Sequence, residues 1–338
     1  MKAITLFFTA LFIFFNTNAQ QVKVLTSGTK TSLRGLSVVS DNVVWASGSN
    51  GTVAKSIDGG NTWKWLTVKG FEKNDFRDIE AFDENIAIIM AVDSPAYILK
   101  TIDGGTTWKT VYENHTKGMF LDAMDFYDDK NGVVIGDPID NVFFIAYTHD
   151  GGNTWIKKNT LPTPTAKNGE ACFASSGTNI KMLSATKEMF ITGGLFSKFA
   201  INNVFDYVGN TLPVIQGKES TGANSIDIKN KKTMVVVGGD FTLKDDTTKN
   251  CFYTNDAGKT WHAPQIPPSG YRSCVLFYKK KTWLTCGLNG VDISTDNGHN
   301  FTKISNESFH VCKKAKHGKS IFFAGSGGKI GIIFVKNQ

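Results

Sequence analysis

The sequence predicts an all-β protein, a seven-bladed β-propeller of four-stranded antiparallel blades, from three observations. An eight-residue pattern recurs five times, short β-branched or aromatic runs flank each copy, and no stretch has the 3.6-residue apolar period of an amphipathic helix. Composition agrees with this. The 338 residues are 41% hydrophobic and 20% charged, with 33 Gly against 8 Pro, which excludes disordered, collagen-like and coiled-coil chains and supplies turn residues in quantity.

In chain order, the first element is a targeting segment. Lys2 precedes an apolar run from Ala3 to Phe15, then polar Asn16-Thr17-Asn18 and Ala19. About 13 apolar residues are too few to span a bilayer, so 1–19 reads as a secretory signal peptide cleaved near Ala19. No Cys follows the run, so a lipoprotein anchor is not expected, and no later stretch reads as a transmembrane segment. The expectation is a secreted or periplasmic monomer whose residues 20–338 form one propeller domain.

The repeated pattern comes next. Its copies are Ser56-Ile-Asp58-Gly-Gly-Asn-Thr-Trp63, Thr101-Ile-Asp103-Gly-Gly-Thr-Thr-Trp108 and Thr148-His-Asp150-Gly-Gly-Asn-Thr-Trp155, followed by looser copies Thr254–Trp261 around Asp256 and Ser294–Phe301 around Asp296. Successive Asp residues are 45, 47, 106 and 40 positions apart, and 106 is two blade lengths, so one copy is missing near residues 197–212. The pattern is the Asp-box. Its carboxylate is suited to accept main-chain N–H bonds across a turn, its Gly to adopt positive φ, and its aromatic to anchor the turn by packing under a neighbour. Repetition in every blade argues for a structural part rather than a metal or catalytic group.

Strands fill the intervals. Val43–Ser47, Ile86–Val92, Gly132–Gly136, Met189–Gly193, Thr233–Gly238, Thr282–Cys286 and Ser320–Ala324 are short apolar runs, each with another strand upstream and, after most boxes, a fourth such as Trp63–Leu66 or Trp155–Lys158. The seventh blade, ending at 330–335, has no box and no fourth strand of its own. Gln21–Leu25 resembles an outer-strand run, so the N-terminal strand is expected to pair with the last blade and close the ring.

Propeller topology then assigns faces. Starts of innermost strands and ends of second strands share one face, and the Asp-boxes lie on the other. The net charge of +7 comes from 34 scattered Lys and three Arg, and scattered Lys does not make a nucleic-acid patch. The three arginines share one structural position: Arg34, Arg77 and Arg272 each open an innermost strand, in blades one, two and six, and His310 takes that position in blade seven. This group is suited to a carboxylate, a phosphate or an acidic protein loop. Asp78, Asp122, Glu170 and Asn224 occupy the rest of the rim, with Asp137 and Asp240 at second-strand ends. The competing reading is that the arginines pair with these acids to knit blades together. Loops 137–141 and 240–250 rise on the same face.

Cys172, Cys251, Cys274, Cys286 and Cys312 show no CxxC or Cys/His spacing, so no metal and no cofactor is expected. Cys274 and Cys286 flank a Lys279-Lys280-Lys281 turn symmetrically, which leaves either a cross-strand disulfide or buried thiols open.

The five boxes, together with Trp45–Gly51, Asp75-Phe-Arg-Asp78, Gly136-Asp-Pro138, Gly238-Gly-Asp240 and Gly270-Tyr-Arg-Ser273, make the chain similar to the Asp-box (BNR-repeat) propellers related to photosystem II stability/assembly factors. The resemblance implies a seven-bladed, exported, non-enzymatic scaffold that binds a protein partner or anionic ligand on the face opposite the boxes and assists a membrane or envelope complex. The alternative is a sialidase-like glycoside hydrolase, with Tyr271 as nucleophile and Asp78 or Glu170 as acid. Against it, Phe76-Arg77 continues as Asp78-Ile79 rather than Ile-Pro, and strand alternation points Tyr271 and Arg272 apart.

Overall fold

The structure is a computed structural model describing residues 21–159, 162–203 and 206–334; the expected signal peptide lies outside these residues. Seven antiparallel blades form a ring, with no helix among the described residues. From the axis outward, blade one is Leu33–Val38, Val44–Gly48, Thr52–Ser56 and Lys64–Thr67. Blade two is Phe76–Ala81, Ala87–Ala91, Ala96–Thr101 and Lys109–Asn114, and blade three is Leu121–Phe126, Gly132–Ile139, Val142–Thr148 and Ile156–Lys157. Blade four is Ile180–Ser184, Lys187–Ile191, Lys198–Asn203 and Asp206–Thr211. In blade five, Thr221–Ile228, Met234–Asp240 and Cys251–Thr254 carry an outer strand reduced to the Tyr253–His262 bridge, while the short pairs Glu170–Ala171 and Gly193–Gly194 join its inner end. Blade six is Cys274–Lys279, Thr282–Gly287, Gly290–Ser294 and Thr302–Ser305. Blade seven is Val311–Lys314, Ile321–Ala324 and Ile330–Ile333, completed by Lys23–Thr26 from the other end of the chain, with Lys23 opposite Ile332 and Val24 opposite Gly331.

The Asp-boxes work as the residue types suggested. Asp58 Oδ1 accepts the Thr62 N–H at 2.9 Å and the Ser56 hydroxyl at 2.8 Å, while Oδ2 accepts the Thr62 hydroxyl at 2.6 Å. Asp103, Asp150, Asp256 and Asp296 repeat the arrangement. These donors hold the carboxyls low, with Asp58 and Asp103 at about 2. Gly152 has φ +77°, and a Cβ on it would overlap Ile88 of the preceding blade. The box aromatics seat against that preceding blade too: Trp108 packs on the Trp45–Ile89–Leu99 cluster, Trp155 on the cluster holding Ile88, and Phe301 on that of Val235. Trp63 and Trp261 do the same in their blades. Blade four, without a box, pairs its outer strands directly from Lys198–Thr211 to Asn203–Asp206.

Each blade also bonds to the next at its innermost strand. The Ala81 N–H donates to Ser37 Oγ (3.0 Å), Met124 N–H to Asp78 Oδ2 (2.7 Å) and Met182 N–H to Asp125 Oδ2 (2.7 Å). Ile226 N–H donates to the Thr178 carbonyl (3.0 Å), Val275 N–H to Ser225 Oγ (2.9 Å) and Cys312 N–H to Cys274 Sγ (3.4 Å). Lys316 N–H closes the series on the Val38 carbonyl (2.9 Å).

Two outcomes follow. Val22, Val24 and Leu25 pack on the core shared by blades six, seven and one, so deleting 21–27 removes apolar burial and a strand ladder together. Thermal unfolding of that deletion should shift down by about 5–10 °C, corresponding to roughly 3–5 kcal/mol; an unchanged midpoint would show that closure does not depend on this strand. Because Asp103 is held below its unfolded value, its stabilisation is present above about pH 4 and lost as pH falls toward 2. Denaturant titrations of Asp103→Asn and wild type should therefore differ at pH 6 and converge as pH approaches 2.

Candidate functional site

On the face opposite the boxes, a cleft of about 410 Å³ opens on the ring axis. Every blade contributes to it in turn: Arg34, Arg77, Asp137, Ser175, Asn224, Tyr271 and His310, joined by Phe120, Phe173, Phe241 and Leu288. Its floor is the segment 173–179, which leads into blade four and runs across the channel. Ser175 Oγ donates to Asn224 Oδ1 (2.9 Å), Ser176 Oγ to the Ser273 carbonyl (2.7 Å) and Thr178 Oγ1 to Ser225 Oγ (2.7 Å). Gly177 has φ +62°, and a Cβ there would overlap the Asp78 carboxylate. One segment thus touches blades two, five and six, and the tunnel becomes a blind cleft.

The charge in the cleft rests on two guanidiniums. Arg34 makes no ion pair among the described residues; Nη1 donates a long bond to the Ser175 carbonyl at 3.5 Å. Burial, followed by the charge of Arg77, lowers its pKa from the ordinary arginine value. Arg77 donates through Nε to Asp75 at 2.8 Å and lies 5.8 Å from the centre of the Phe120 ring. His310 Nε2 is bonded to Ser326 Oγ (2.8 Å) and Ser32 Oγ (3.2 Å). Burial, then Arg34 and Arg77, pull its pKa down to about 3, so the ring is neutral at physiological pH. Asp137 accepts the Cys172 N–H at 2.9 Å, and burial raises it to about 6. Opposite lies an aromatic wall: Phe173 and Phe241 meet edge to face at 6.0 Å, Phe241 and Tyr271 at 6.4 Å, and the Tyr271 hydroxyl donates to Asn224. Leu195, Phe196, Phe241 and Leu243 are exposed on the second-to-third strand loops of blades four and five.

Arg272 is a correction to the expected cluster. It opens its strand at the aligned position, yet its side chain is fully buried and ion-paired with Asp292, which would otherwise be an unpaired buried charge. Its remaining donors reach the Tyr271 carbonyl, Asn289 and Ser269. Tyr271 takes the cleft instead, as alternation requires.

Four expected rim acids are likewise outside the cleft. Asp78 is buried between blades, accepting the Met124 and Ile79 N–H groups, and burial raises it to about 8. Glu170 accepts the Thr192 hydroxyl and pairs with Lys198 at 3.1 Å. Asp240 caps its own turn by accepting from Thr242 N–H and hydroxyl. Asp122 is fully buried with neither oxygen at hydrogen-bonding geometry, although the Ala174 and Asp137 N–H groups lie nearby; burial pushes it well above the carboxylate range. Among the described residues none of them makes an ion pair with an arginine, so the competing reading of blades knitted by arginine–acid pairs finds no such pair at these four positions; Asp78 instead joins blades by accepting a main-chain N–H. Among the described residues the Tyr271 hydroxyl donates to Asn224 Oδ1, while Asp78 and Glu170 bond to groups outside the cleft. The floor segment and the aromatic wall are features that residue alignment missed; the unusual length between Lys157 and Ile180, more than twice that between Thr67 and Phe76, is the signal that points to the floor.

Comparison with known proteins agrees with the fold. The family model described as BNR/Asp-box repeat matches residues 252–263. No curated protein matches the chain. Among solved structures, YCF48 bound to D1 peptide aligns with TM-score 0.65 at 14% identity, covering 96% of this chain and 99% of that one. YCF48 from Cyanidioschyzon merolae aligns with TM-score 0.64 at 14% identity, covering 94% and 100%. The WD40 propeller domain of Doa1 gives 0.63 at 14% identity, covering 94% and 98%. The chain is thus an Asp-box β-propeller similar in architecture to YCF48.

The buried Arg272 and the half-buried Arg34 should separate on substitution. Arg272→Ala strands Asp292 and should cost about 3–5 kcal/mol in denaturant unfolding, whereas Arg34→Ala should cost no more than about 1 kcal/mol. Equal losses would mean that Arg34 is also a structural residue.

Proposed function

We propose that this protein is an exported, non-catalytic scaffold whose axial cleft binds a carboxylate-bearing segment of a protein partner, in the manner of an assembly or stability factor for an envelope or membrane complex. The observation that carries the proposal is Arg34: a half-buried guanidinium without a carboxylate at ion-pair distance among the described residues, beside a second guanidinium, in a blind cleft. Asp75 pairs with Arg77 and acts on Arg34 only through its charge, so Arg34 keeps its repulsion with Arg77 without a carboxylate at ion-pair distance, and an incoming anion would relieve it. The aromatic wall and the exposed Phe241 and Leu243 favour a segment with apolar side chains next to its anionic group over a small inorganic ion. A structural neighbour that binds a peptide supports the choice of a protein partner.

The test is capture of partners from the native envelope fraction, followed by titration of the captured protein's peptides with free and amidated C-termini. Arg34→Ala and Arg77→Ala should each weaken binding about 10- to 100-fold, the range for losing a charge-assisted hydrogen bond. Unchanged capture by the double variant, or measurable cleavage of a sialoside by the wild type, would overturn the proposal.

Binding should also follow Asp137. Its carboxyl ionises as pH rises through about 6, adding negative charge to the cleft, so affinity for a carboxylate should fall between pH 5 and 7. Asp137→Asn should flatten that profile in calorimetric titrations.

A further inference from the structure

Three of the five cysteines converge in the core between blades six and seven. Cys274 lies on the innermost strand of blade six, Cys286 is its direct cross-strand neighbour, and Cys312 lies on the innermost strand of blade seven. All three are free thiols with 0% exposure, and their sulfurs lie within 4.8 Å of one another, Cys274 and Cys312 at 3.8 Å. We propose that these three sulfurs form a binding site for a single soft metal ion, Cu(I), which would staple blade six to blade seven.

The choice of sulfur itself needs explaining. Cys274 fills the role that Ser37, Asp78 and Ser225 fill in other blades, accepting the next blade's N–H, here that of Cys312 at 3.4 Å. Sulfur is the weaker acceptor, so the inter-blade bond alone does not favour cysteine there. Buried thiols do pack as small apolar groups, but packing does not require three of them to share one point. The Cys274–Cys312 spacing of 3.8 Å already suits a shared ion, since metal–sulfur bonds of about 2.3 Å place sulfurs roughly 3.7–4.0 Å apart in tetrahedral or trigonal geometry, and Cys286, with all three sulfurs within 4.8 Å of one another, needs at most a small shift to join them.

Donor type narrows the ion. Among the described residues no imidazole or carboxylate joins the three sulfurs. Structural zinc takes four protein ligands and iron–sulfur clusters four thiolates, whereas soft thiolates also select Cu(I), which accepts three donors. Each thiol that becomes a ligand releases one proton and no electron moves. The Lys313 ammonium bears on Cys274, so one cation is at hand to offset the thiolate charge, while Lys181 and Arg272 are held by Asp227 and Asp292. Loading must accompany folding, because the sulfurs are sealed from solvent.

The full chain should be refolded anaerobically with Cu(I) and challenged with a competing Cu(I) chelator. Wild type should retain about one equivalent and unfold at a higher temperature than the metal-free protein. Cys312→Ser should lose the equivalent, and Cys172→Ser, outside the cluster, should keep it. X-ray absorption on the loaded wild type, which needs no variant to fold, should find three sulfur neighbours around copper. Failure to retain copper, retention by Cys312→Ser, oxygen or nitrogen in place of sulfur, stoichiometric zinc instead of copper, or a Cys274–Cys312 disulfide in the protein isolated under native conditions would each overturn the assignment.

Discussion

The innermost strand of each blade is a sheet edge that faces another blade instead of water. Main-chain N–H groups on such an edge have no ladder partner and no solvent, and leaving them unpaired costs on the order of 1–3 kcal/mol each. The preceding blade supplies the acceptors: hydroxyls at Ser37 and Ser225, carboxyls at Asp78 and Asp125, a carbonyl at Thr178, a sulfur at Cys274. Much of the polar chemistry near the axis is determined by this requirement. Asp78 looks like a site residue by position, yet its two oxygens are occupied by Met124 and Ile79.

The same requirement explains how the channel is filled. Segment 173–179 brings its own polar groups to the axis, and these bond to Asn224, Ser225 and Ser273 of other blades. Gly177 is where the crossing passes closest to Asp78, and only glycine combines that approach with φ +62°. Filling the channel converts a hole into a floor, which gives a ligand a cleft with one open side and a desolvated base.

How much of this was legible in the sequence follows from the range of the interactions. The Asp-box is a bond between residues four apart, so its repetition in the chain revealed blade spacing, turn chemistry and the face of each turn, while the short apolar strand runs gave the count of seven blades. Ring closure was legible as well, because Lys23–Thr26 completes a blade that otherwise lacks a strand. Position at the rim could be read by alignment, and alternation set Tyr271 and Arg272 on opposite sides, but which of the two enters the cleft could not be read. Arg272 is turned inward by Asp292, twenty residues on and in a different strand, and nothing near Arg272 in the chain announces that acid. Acceptor and donor are similarly distant in Asp78–Met124 and Ser225–Val275, and the three clustered sulfurs come from strands of two blades, which is why no local spacing betrays them.

What distinguishes the cleft electrostatically is the resistance of arginine to this environment. Burial favours the neutral form of several groups near it: His310 is pulled to about 3, Asp78 is raised to about 8, and Asp122 is raised well above the carboxylate range. A lysine in place of Arg34 would be open to the same fate, since a buried ammonium readily sheds its proton. A guanidinium keeps its charge even when its pKa is lowered, so Arg34 and Arg77 persist as positive groups among neutralised neighbours. The low dielectric that keeps Asp78 and Asp122 neutral also strengthens the field of the two cations at the open side of the cleft, where an incoming carboxylate can meet them before it is fully desolvated.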